Sequence, residues 1–189
     1  MIDPELAKSI KLVAFDVDGV MTDGGIYLGD VDGARLEFKR YDIQDGLGIA
    51  ILRHTSVHVA IITGRVSESV RLRAEELGVT DLAQDPDGHK LAGLYRILGA
   101  RGIGLHEVAF LADDFPDMPV LRLVGLPVSV ANAVPEVTAI CKHQMQHAGG
   151  RGAVREFCEE FLRARGEWES AWTKYVDARS APRPAEVGR

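Results

Sequence analysis

The sequence has few cysteines, no block of basic residues and no long apolar run, and each absence argues against a class of protein. Its two cysteines, Cys141 and Cys158, lack CxxC spacing, which favours free thiols in a reducing compartment over a zinc or disulfide framework. The formal net charge is -6, which argues against a nucleic-acid-binding surface. No apolar stretch approaches the roughly eighteen residues of a membrane span. The N-terminus, MIDPELAKSI, lacks the apolar segment of a signal peptide, so we expect a soluble, cytoplasmic protein.

Short apolar runs alternate along the chain with longer segments of helical periodicity. The 189 residues, 46% of them hydrophobic, suffice for one domain with a sizeable core. Continuous apolar runs are typical of buried strands, and they occur at 11–17, 57–63, 108–113 and 126–131. The segments between them space apolar residues three to four apart. This alternation predicts an α/β fold, with a parallel sheet and helices on both faces.

Two segments depart from the alternation. Two short strand-like arms around Asp32-Gly33 predict a β-hairpin, which we take to form a flap over about 24–41. From Gly166 the chain becomes polar and contains Pro, which predicts a partly disordered C-terminal tail over 166–189. The predicted domain therefore covers 1–165.

Polar residues follow three of the predicted strands at their C-terminal ends, where open α/β sheets bind ligands. Residues two apart on a strand share a face, so Asp16 and Asp18 in DVD should lie on the same side. Their negative charges repel each other unless a divalent cation, a shared proton or solvent offsets the repulsion. Carboxylates at this density suit Mg²⁺, whereas a lysine and a hydroxyl beside a free amide suit phosphate oxygens. The candidate residues are Asp16, Asp18, Thr63, Gly64, Arg65, Asp113 and Asp114, with Lys90 at the start of an intervening helix.

Each of these motifs taken alone has a plainer interpretation. Paired acids are common in solvated loops, TGR could be a strand-ending turn, and Lys90 could be a surface lysine. Asp113 and Asp114, which precede FPDMP, could act only as a helix N-cap. Their order at strand ends is poorly explained by these interpretations and favours one shared site.

DVDGV, TGR, Lys90 and ADDFPDMPV together resemble the haloacid dehalogenase superfamily of phosphotransferases. Over 11–163 the chain is similar to the 3-deoxy-D-manno-octulosonate 8-phosphate phosphatase group, as in FDVDGVMTDGGIYLG, VGLPVSVANAVPEV and GGRGAVREFCE. The resemblance implies a Rossmann-like fold that has no cap domain apart from the hairpin flap.

The resemblance also implies Mg²⁺-dependent hydrolysis of a phosphorylated sugar or sugar acid through an aspartyl-phosphate. Asp16 matches the nucleophile, and Asp18 matches the group that acts first as acid and then as base. Thr63 and Lys90 match the groups that hold the phosphoryl oxygens. The implied Mg²⁺ ligands are Asp16, the backbone carbonyl of Asp18, and Asp113. ATPase-type members carry Thr at the position of Asp18, which favours a phosphatase.

The substrate contacts implied by the resemblance extend beyond the catalytic set. Gln44 and Ala50 stand where the group usually has arginines, which can clamp a carboxylate bidentately. The leaving group could therefore differ, and a nonulosonate or a nucleoside-like acid is one alternative. A weakly catalytic binding or assembly module is another, which the intact catalytic set disfavours. The implied substrate-binding residues are Asp18, Asp42, Gln44, Asp45, Gly46, Gly64, Arg65, Arg73 and Lys90.

The sequence between Thr63 and Lys90 has room for one helix and one strand but not for a cap domain. A phosphoryl-transfer site must exclude water, so either a neighbouring subunit or a macromolecular substrate has to cover it. The resembled group forms tetramers in which hairpins and chain ends of neighbours complete the site. We therefore expect a homotetramer that acts on a small phosphorylated sugar, with neither nucleic acid nor membrane as a partner.

Overall fold

A six-stranded parallel sheet forms the centre of the computed structural model, which describes residues 1–180. Within these residues the strands are β1 (Leu12–Phe15), β2 (Tyr27–Val31), β3 (Ala34–Phe38), β4 (His58–Thr63), β5 (Asp81–Gln84), β6 (Val108–Ala112), β7 (Leu126–Ser129) and β8 (His143–Gln144). The helices are α1 (Pro4–Ser9), α2 (Ile43–Leu52), α3 (Glu68–Glu76), α4 (Lys90–Arg101), α5 (Met118–Leu121), α6 (Pro135–Ile140), α7 (Ala153–Arg165) and α8 (Trp168–Ser180). No helix in this part of the chain combines the length and apolar character needed to cross a bilayer.

The strand order places β1 between the two halves of the sheet. The order is β5-β4-β1-β6-β7-β8, and all neighbours run parallel. The chain adds β4 and β5 on one side of β1 and then crosses to add β6, β7 and β8 on the other. The C-terminal end of β1 therefore lies at the topological switch point, where ligands bind in such sheets. The predicted parallel α/β architecture is confirmed.

The apolar-run criterion finds the four inner strands but misses β5 (DLAQ) and β8 (HQ). These two strands lie at the edges of the sheet and are only partly buried. Inner parallel strands are covered by helices on both faces and therefore need continuous apolar sequence, whereas an edge strand does not.

Side chains of β1 divide between two hydrophobic layers. Val13 and Phe15 face the layer that contains α2 and α7, whereas Leu12 and Ala14 face the layer that contains α4. In the first layer the ring of Phe157 meets Phe15 edge-on, with 6.2 Å between centroids. The two layers hold the end of β1 rigidly from both sides.

The predicted hairpin is confirmed and projects from the sheet. Strands β2 and β3 pair antiparallel, and Val31 lies opposite Ala34 across a two-residue turn. Asp32 and Gly33 adopt φ values of 52° and 80°, as a tight Asp-Gly hairpin turn requires. Most hairpin residues are exposed, including large apolar ones such as Leu28 and Phe38.

The C-terminal segment is more ordered than its polar composition predicts. Gly166, in left-handed conformation at φ 73°, ends α7, and the chain then forms α8. Trp168 packs beneath the guanidinium groups of Arg155 and Arg163, and the ring of Tyr175 meets His54 edge-on. We therefore correct the boundary at 165, because α8 packs on the domain. The disorder predicted for the end of the tail falls on 181–189, outside the described residues.

The layer around Phe157 leads to a first prediction. Phe157→Ala should lower the free energy of unfolding by about 3–5 kcal/mol, because the fully buried ring contacts Phe15 and stacks on Phe161. Denaturant titration measures this loss. Phe115→Ala, which removes a ring that is 53% exposed, serves as the control and should cost less than about 0.5 kcal/mol. Equal losses in both variants would contradict the assigned core.

Candidate active site

Two acidic residues follow β1, but strand alternation does not explain their common position. β1 ends at Phe15, and Asp16 continues in extended conformation at φ -70° and ψ 168°. A kinked turn over Val17–Met21 comes next, in which Asp18 (φ -75°, ψ 111°) and Gly19 do not have helical backbone angles. Asp18 lies inside this turn, and both carboxylates still line one cavity. The prediction that they share a side is confirmed, whereas the reason given for it was wrong.

The turn after Asp16 depends on Gly19. Its φ of 89° favours glycine, and a Cβ there would lie 2.0 Å from Asp113 Oδ2. From behind, Asn132 Nδ2 donates to the carbonyl of Gly19 at 3.0 Å, and the Gly149 amide donates to Asn132 Oδ1 at 2.7 Å. Sequence reasoning missed Asn132, because its two partners are distant in the chain.

A buried ion-pair cluster occupies the floor of the cavity. Lys90 Nζ donates to Asp16 Oδ1 and to Asp117 Oδ1, each at 2.6 Å, and all three side chains are buried. Asp16, Asp113 and Asp117 each place one carboxylate oxygen within 4.8 Å of the others. Asp117 Oδ2 is buried with no hydrogen-bond partner among residues 1–180. Three carboxylates against one ammonium leave excess negative charge, and this all-oxygen set fits a divalent cation.

The ionisation of the cluster reflects that excess charge. Burial raises the pKa of Asp16 well above its ordinary value, and the charge of Asp117 adds to the effect. Burial, followed by the charge of Asp117, raises the pKa of Asp113 to about 7. Burial alone would lower the pKa of Lys90, but Asp16 and Asp117 outweigh it and raise that pKa, so the ammonium stays charged. A cation bound among the carboxylates would relieve their repulsion.

The cavity has a volume of about 210 Å³ and brings together most of the predicted site. Asp114 also borders it, but its carboxylate accepts from the Phe115 amide at 2.7 Å, so the N-cap interpretation holds for this residue. Asp117 was missed as a site residue, although its place in FPDMP beside the paired acids was a signal. The lining residues are Asp16, Asp18, Thr63, Gly64, Arg65, Gly88, Lys90, Asp113, Asp114, Pro116 and Asp117.

The hairpin reaches this cavity through the residues at the end of β3. Lys39 pairs with the carboxylate of Asp18 and, at 3.2 Å, with Glu37 Oε1. Arg65 Nη2 donates to Glu37 Oε2 at 2.6 Å. The base of the hairpin therefore contacts Asp18 of its own chain, which the sequence did not predict.

A second, larger groove of about 520 Å³ lies beside the cavity, between the hairpin and α3. Arg73, one of the predicted substrate contacts, lines it together with Tyr41. Arg73 Nε and the Tyr41 hydroxyl are buried without a hydrogen-bond partner in the described part of the chain. These two polar atoms lie beneath the surface of the groove, and the groove itself adjoins the cavity of the ionic cluster.

Four of the predicted substrate contacts do not line either space. Asp42 caps α2 by accepting from the Gln44 amide at 2.7 Å, and the Gln44 side chain is exposed. Asp45 is buried and accepts from the backbone amides of Gly152 and Arg155 at the start of α7. Gly46 leaves room for Arg73, whose Nη2 would lie 2.3 Å from a Cβ at that position. Asp42, Gln44, Asp45 and Gly46 thus lie at the start of α2, outside both spaces, and their assignment as substrate contacts stays a prediction.

Comparisons with known proteins agree with this geometry. The profile described as haloacid dehalogenase-like hydrolase matches residues 84–157. The 3-deoxy-D-manno-octulosonate 8-phosphate phosphatase of Escherichia coli K12 is 41% identical over 165 residues, which are 87% of this chain and 86% of that protein. The chain therefore belongs to the haloacid dehalogenase-like hydrolases, and within them to the family of 3-deoxy-D-manno-octulosonate 8-phosphate phosphatases.

Two solved structures extend the comparison to ligands. The Moraxella catarrhalis phosphatase, in complex with magnesium, phosphate and KDO, superposes with a TM-score of 0.83 and 37% identity, covering 91% of this chain and 97% of its own. The cobalt-bound Haemophilus influenzae phosphatase gives a TM-score of 0.80 and 30% identity, covering 89% and 99%. Both relatives hold a divalent cation, in accord with the acidic cluster described above.

The contacts of Asp45 with the start of α7 lead to a second prediction. Asp45→Ala should lower the free energy of unfolding by about 0.5–2 kcal/mol, because it removes the acceptor for two amides at the start of α7. KM for a phosphate ester should change little. Denaturant titration and steady-state kinetics measure the two effects, with Asp177→Ala on the exposed face of α8 as the control. A raised KM without a change in the free energy of unfolding would instead support Asp45 as a substrate contact.

Proposed function

We propose that the protein hydrolyses a phosphorylated sugar acid of the 3-deoxy-D-manno-octulosonate 8-phosphate type with Mg²⁺ as cofactor. The observation that carries the proposal is the convergence of Asp16, Asp18, Thr63 and Lys90 on one cavity. Asp16 and Lys90 lie on its floor, so the attacking carboxylate is adjacent to the lysine ammonium that would bind the phosphoryl oxygens. The related phosphatases of known structure support the same assignment.

Each residue has a role in two successive transfers. A carboxylate oxygen of Asp16 attacks phosphorus, the bond from phosphorus to the leaving oxygen breaks, and Asp18 gives that oxygen its proton. Asp18 then takes a proton from water, whose oxygen attacks phosphorus and breaks the aspartyl-phosphate bond. Lys90 and Thr63 hold the phosphoryl oxygens throughout.

Magnesium is the cation that this oxygen-rich site suits best. Asp16, Asp113 and Asp117 could supply carboxylate oxygens, and the backbone carbonyl of Asp18 is a further candidate ligand. When bound, the cation screens the charge of the phosphate from the attacking carboxylate.

The substrate class follows from the groove beside the cavity. Its volume of about 520 Å³ accommodates the carbon chain of a sugar acid. Arg65 lines the cavity, and Arg73 lines the groove. The guanidinium of Arg73 adds positive charge to the wall of the groove, which suits a carboxylate of the leaving group. Gln44 and Ala50, which replace the arginines usual in the group, lie on α2 outside both spaces. Their substitution therefore leaves the chain's own groove intact.

A panel of phosphate esters tests the proposal. We expect phosphate release to be fastest from sugar-acid phosphates, slower from neutral sugar phosphates, and absent in Asp16→Asn. That substitution keeps the shape of the side chain but removes the attacking charge, so circular dichroism should show an unchanged fold. Phosphate release by pure Asp16→Asn would refute the covalent mechanism. A preference for nucleotides or nonulosonate phosphates would move the substrate assignment to the alternative metabolites.

The cation assignment leads to a separate prediction. Mg²⁺ should raise the thermal midpoint, by an amount equivalent to about 2.7 kcal/mol when its concentration is a hundredfold above Kd. Asp113→Asn should abolish most of this gain, because it removes one of the three clustered carboxylates. Asp114→Asn is the matched control, since Asn can still cap the following turn. Full activity after exhaustive chelation would rule out the metal.

We also propose that the active form is a homotetramer. The hairpin exposes Leu28 by 79% and Phe38 by 57%, and an apolar hairpin of this kind is more stable when it is paired with neighbours. Neighbouring hairpins would then close the groove against water.

Light scattering beside kinetics, across a dilution series, tests the assembly. Leu28→Asp should give smaller particles and lower turnover, whereas Leu123→Asp, at an exposed site outside the hairpin, should give neither. A wild-type monomer with undiminished turnover on a small ester would defeat the tetramer and favour a macromolecular substrate as its own lid.

The same proposal places the enzyme in the cytoplasm. Cys141 and Cys158 are both free, as a reducing compartment keeps them. Burial raises the pKa of each thiol, so neither is poised to react.

A further inference from the structure

Four charged side chains form a closed ring at the mouth of the cavity, and we call it the ionic ring: Asp18, Lys39, Glu37 and Arg65. Lys39 bridges Asp18 and Glu37, and Arg65 Nη2 donates to Glu37 at 2.6 Å. Arg65 Nε closes the ring at 3.8 Å from Asp18 Oδ2. Positive and negative charges alternate, and the ring as a whole is neutral. Two of its members come from the hairpin and two from loops at the sheet.

The Lys39 side chain is unusual for a hairpin lysine. Its relative exposure is 0%, although most of β3 is exposed. A buried ammonium is stable only where carboxylates replace its lost hydration, and Asp18 and Glu37 do so here. Lysines that merely blunt a hairpin edge remain in water. Burial against Asp18 therefore indicates a specific role for this cation at the site.

Asp18 is the one acidic residue of the cavity that Lys39 contacts. Asp16 and Asp117 are held instead by Lys90, on the floor. The two lysines thus hold different carboxylates of the cavity: Lys90 holds the proposed nucleophile, and Lys39 holds the proposed proton donor. The carboxylate of Asp18 has 25% of its surface exposed, so without Lys39 the longer 3.8 Å contact with Arg65 Nε would hold it less firmly toward the leaving oxygen.

We propose that Lys39 is a positioning residue that fixes the Asp18 carboxylate for proton transfer to the leaving oxygen, with Glu37 and Arg65 holding Lys39 in place. The inference rests on the proposed function, in which Asp18 is the general acid. In this role the hairpin contributes a side chain to the active site of its own chain, in addition to covering the groove of a neighbouring subunit.

The test compares two esters that differ in their need for an acid. A sugar phosphate leaves as a strongly basic alkoxide and needs a proton, whereas p-nitrophenyl phosphate leaves as a weakly basic phenolate and does not. Lys39→Met should lower kcat/KM for the sugar phosphate about tenfold to a hundredfold, less than the roughly 10²- to 10⁴-fold effect of losing a general acid, because Asp18 itself remains. The same variant should lower kcat/KM for p-nitrophenyl phosphate less than about threefold.

Two controls separate positioning from a structural effect. Lys11→Met removes a lysine that pairs with Glu107 at 2.5 Å before β1, away from the cavity, and should leave both kcat/KM values unchanged. Glu37→Gln leaves Lys39 in place but removes one of its partners, so it should give the same selective loss to a smaller extent. This second variant keeps the test open if Lys39→Met unfolds the hairpin.

The outcomes distinguish the inference from the function on which it rests. Equal loss for both esters in Lys39→Met and Glu37→Gln, or no loss for either, would overturn the positioning role while the wild type remained a phosphatase. A wild type that released phosphate from neither ester would overturn the proposed function itself, and with it the role of Lys39.

Discussion

The buried pairing of Lys90 with two carboxylates is the interaction on which the site depends. Asp16 ends the central strand and Asp117 lies in the turn after β6, so a single ammonium ties two loops of the sheet together. Removing one partner of a buried pair costs about 3–5 kcal/mol, since the other charge remains buried alone. The pair still leaves a surplus of negative charge. That surplus makes the cluster suitable for a divalent cation and, beside the cation, a phosphate.

The sheet topology explains why so few residues build this cluster. Because β1 lies between β4 and β6, the loops that follow these three strands meet at one point. Thr63, at the end of β4, and Asp113, after β6, therefore reach the same cavity as Asp16. Both layers of the core pack against β1, so Asp16 follows directly after a strand that is buried on both faces. Chemistry that needs an in-line attack benefits from such an attachment.

The hairpin contributes a second set of contacts, above the floor of the cavity. Its exposed apolar strands and its buried Lys39 face different partners: the strands are free to meet another subunit, while the lysine contacts Asp18. Under the two proposals above, this one insertion links assembly to the position of the Asp18 carboxylate. In a protein without a cap domain, this arrangement assigns the exclusion of water and the placement of the acid to the same element.

Much of the molecule was predictable because its signals are local. Continuous apolar runs identify the inner strands, Asp32-Gly33 identifies the hairpin, and the acids and hydroxyl after successive strands identify the cavity. Each of these depends on neighbours in sequence, whose backbone geometry or burial follows from residue type. Edge strands β5 and β8 lack such a signal, as does α8, which gains its order by packing Trp168 on α7.

Tertiary structure alone decided which polar residues face the site. Asp42 and Asp45 carry charges as strong as those of the cluster, yet they cap helices, because the ends of α2 and α7 present unpaired amides to them. Asp117, Lys39 and Asn132 join the site through partners far away in the chain. The sequence by itself determined the four inner strands, the hairpin and the acids that follow β1 and β6. The direction in which each charged side chain points depends on long-range packing, which no local pattern encodes.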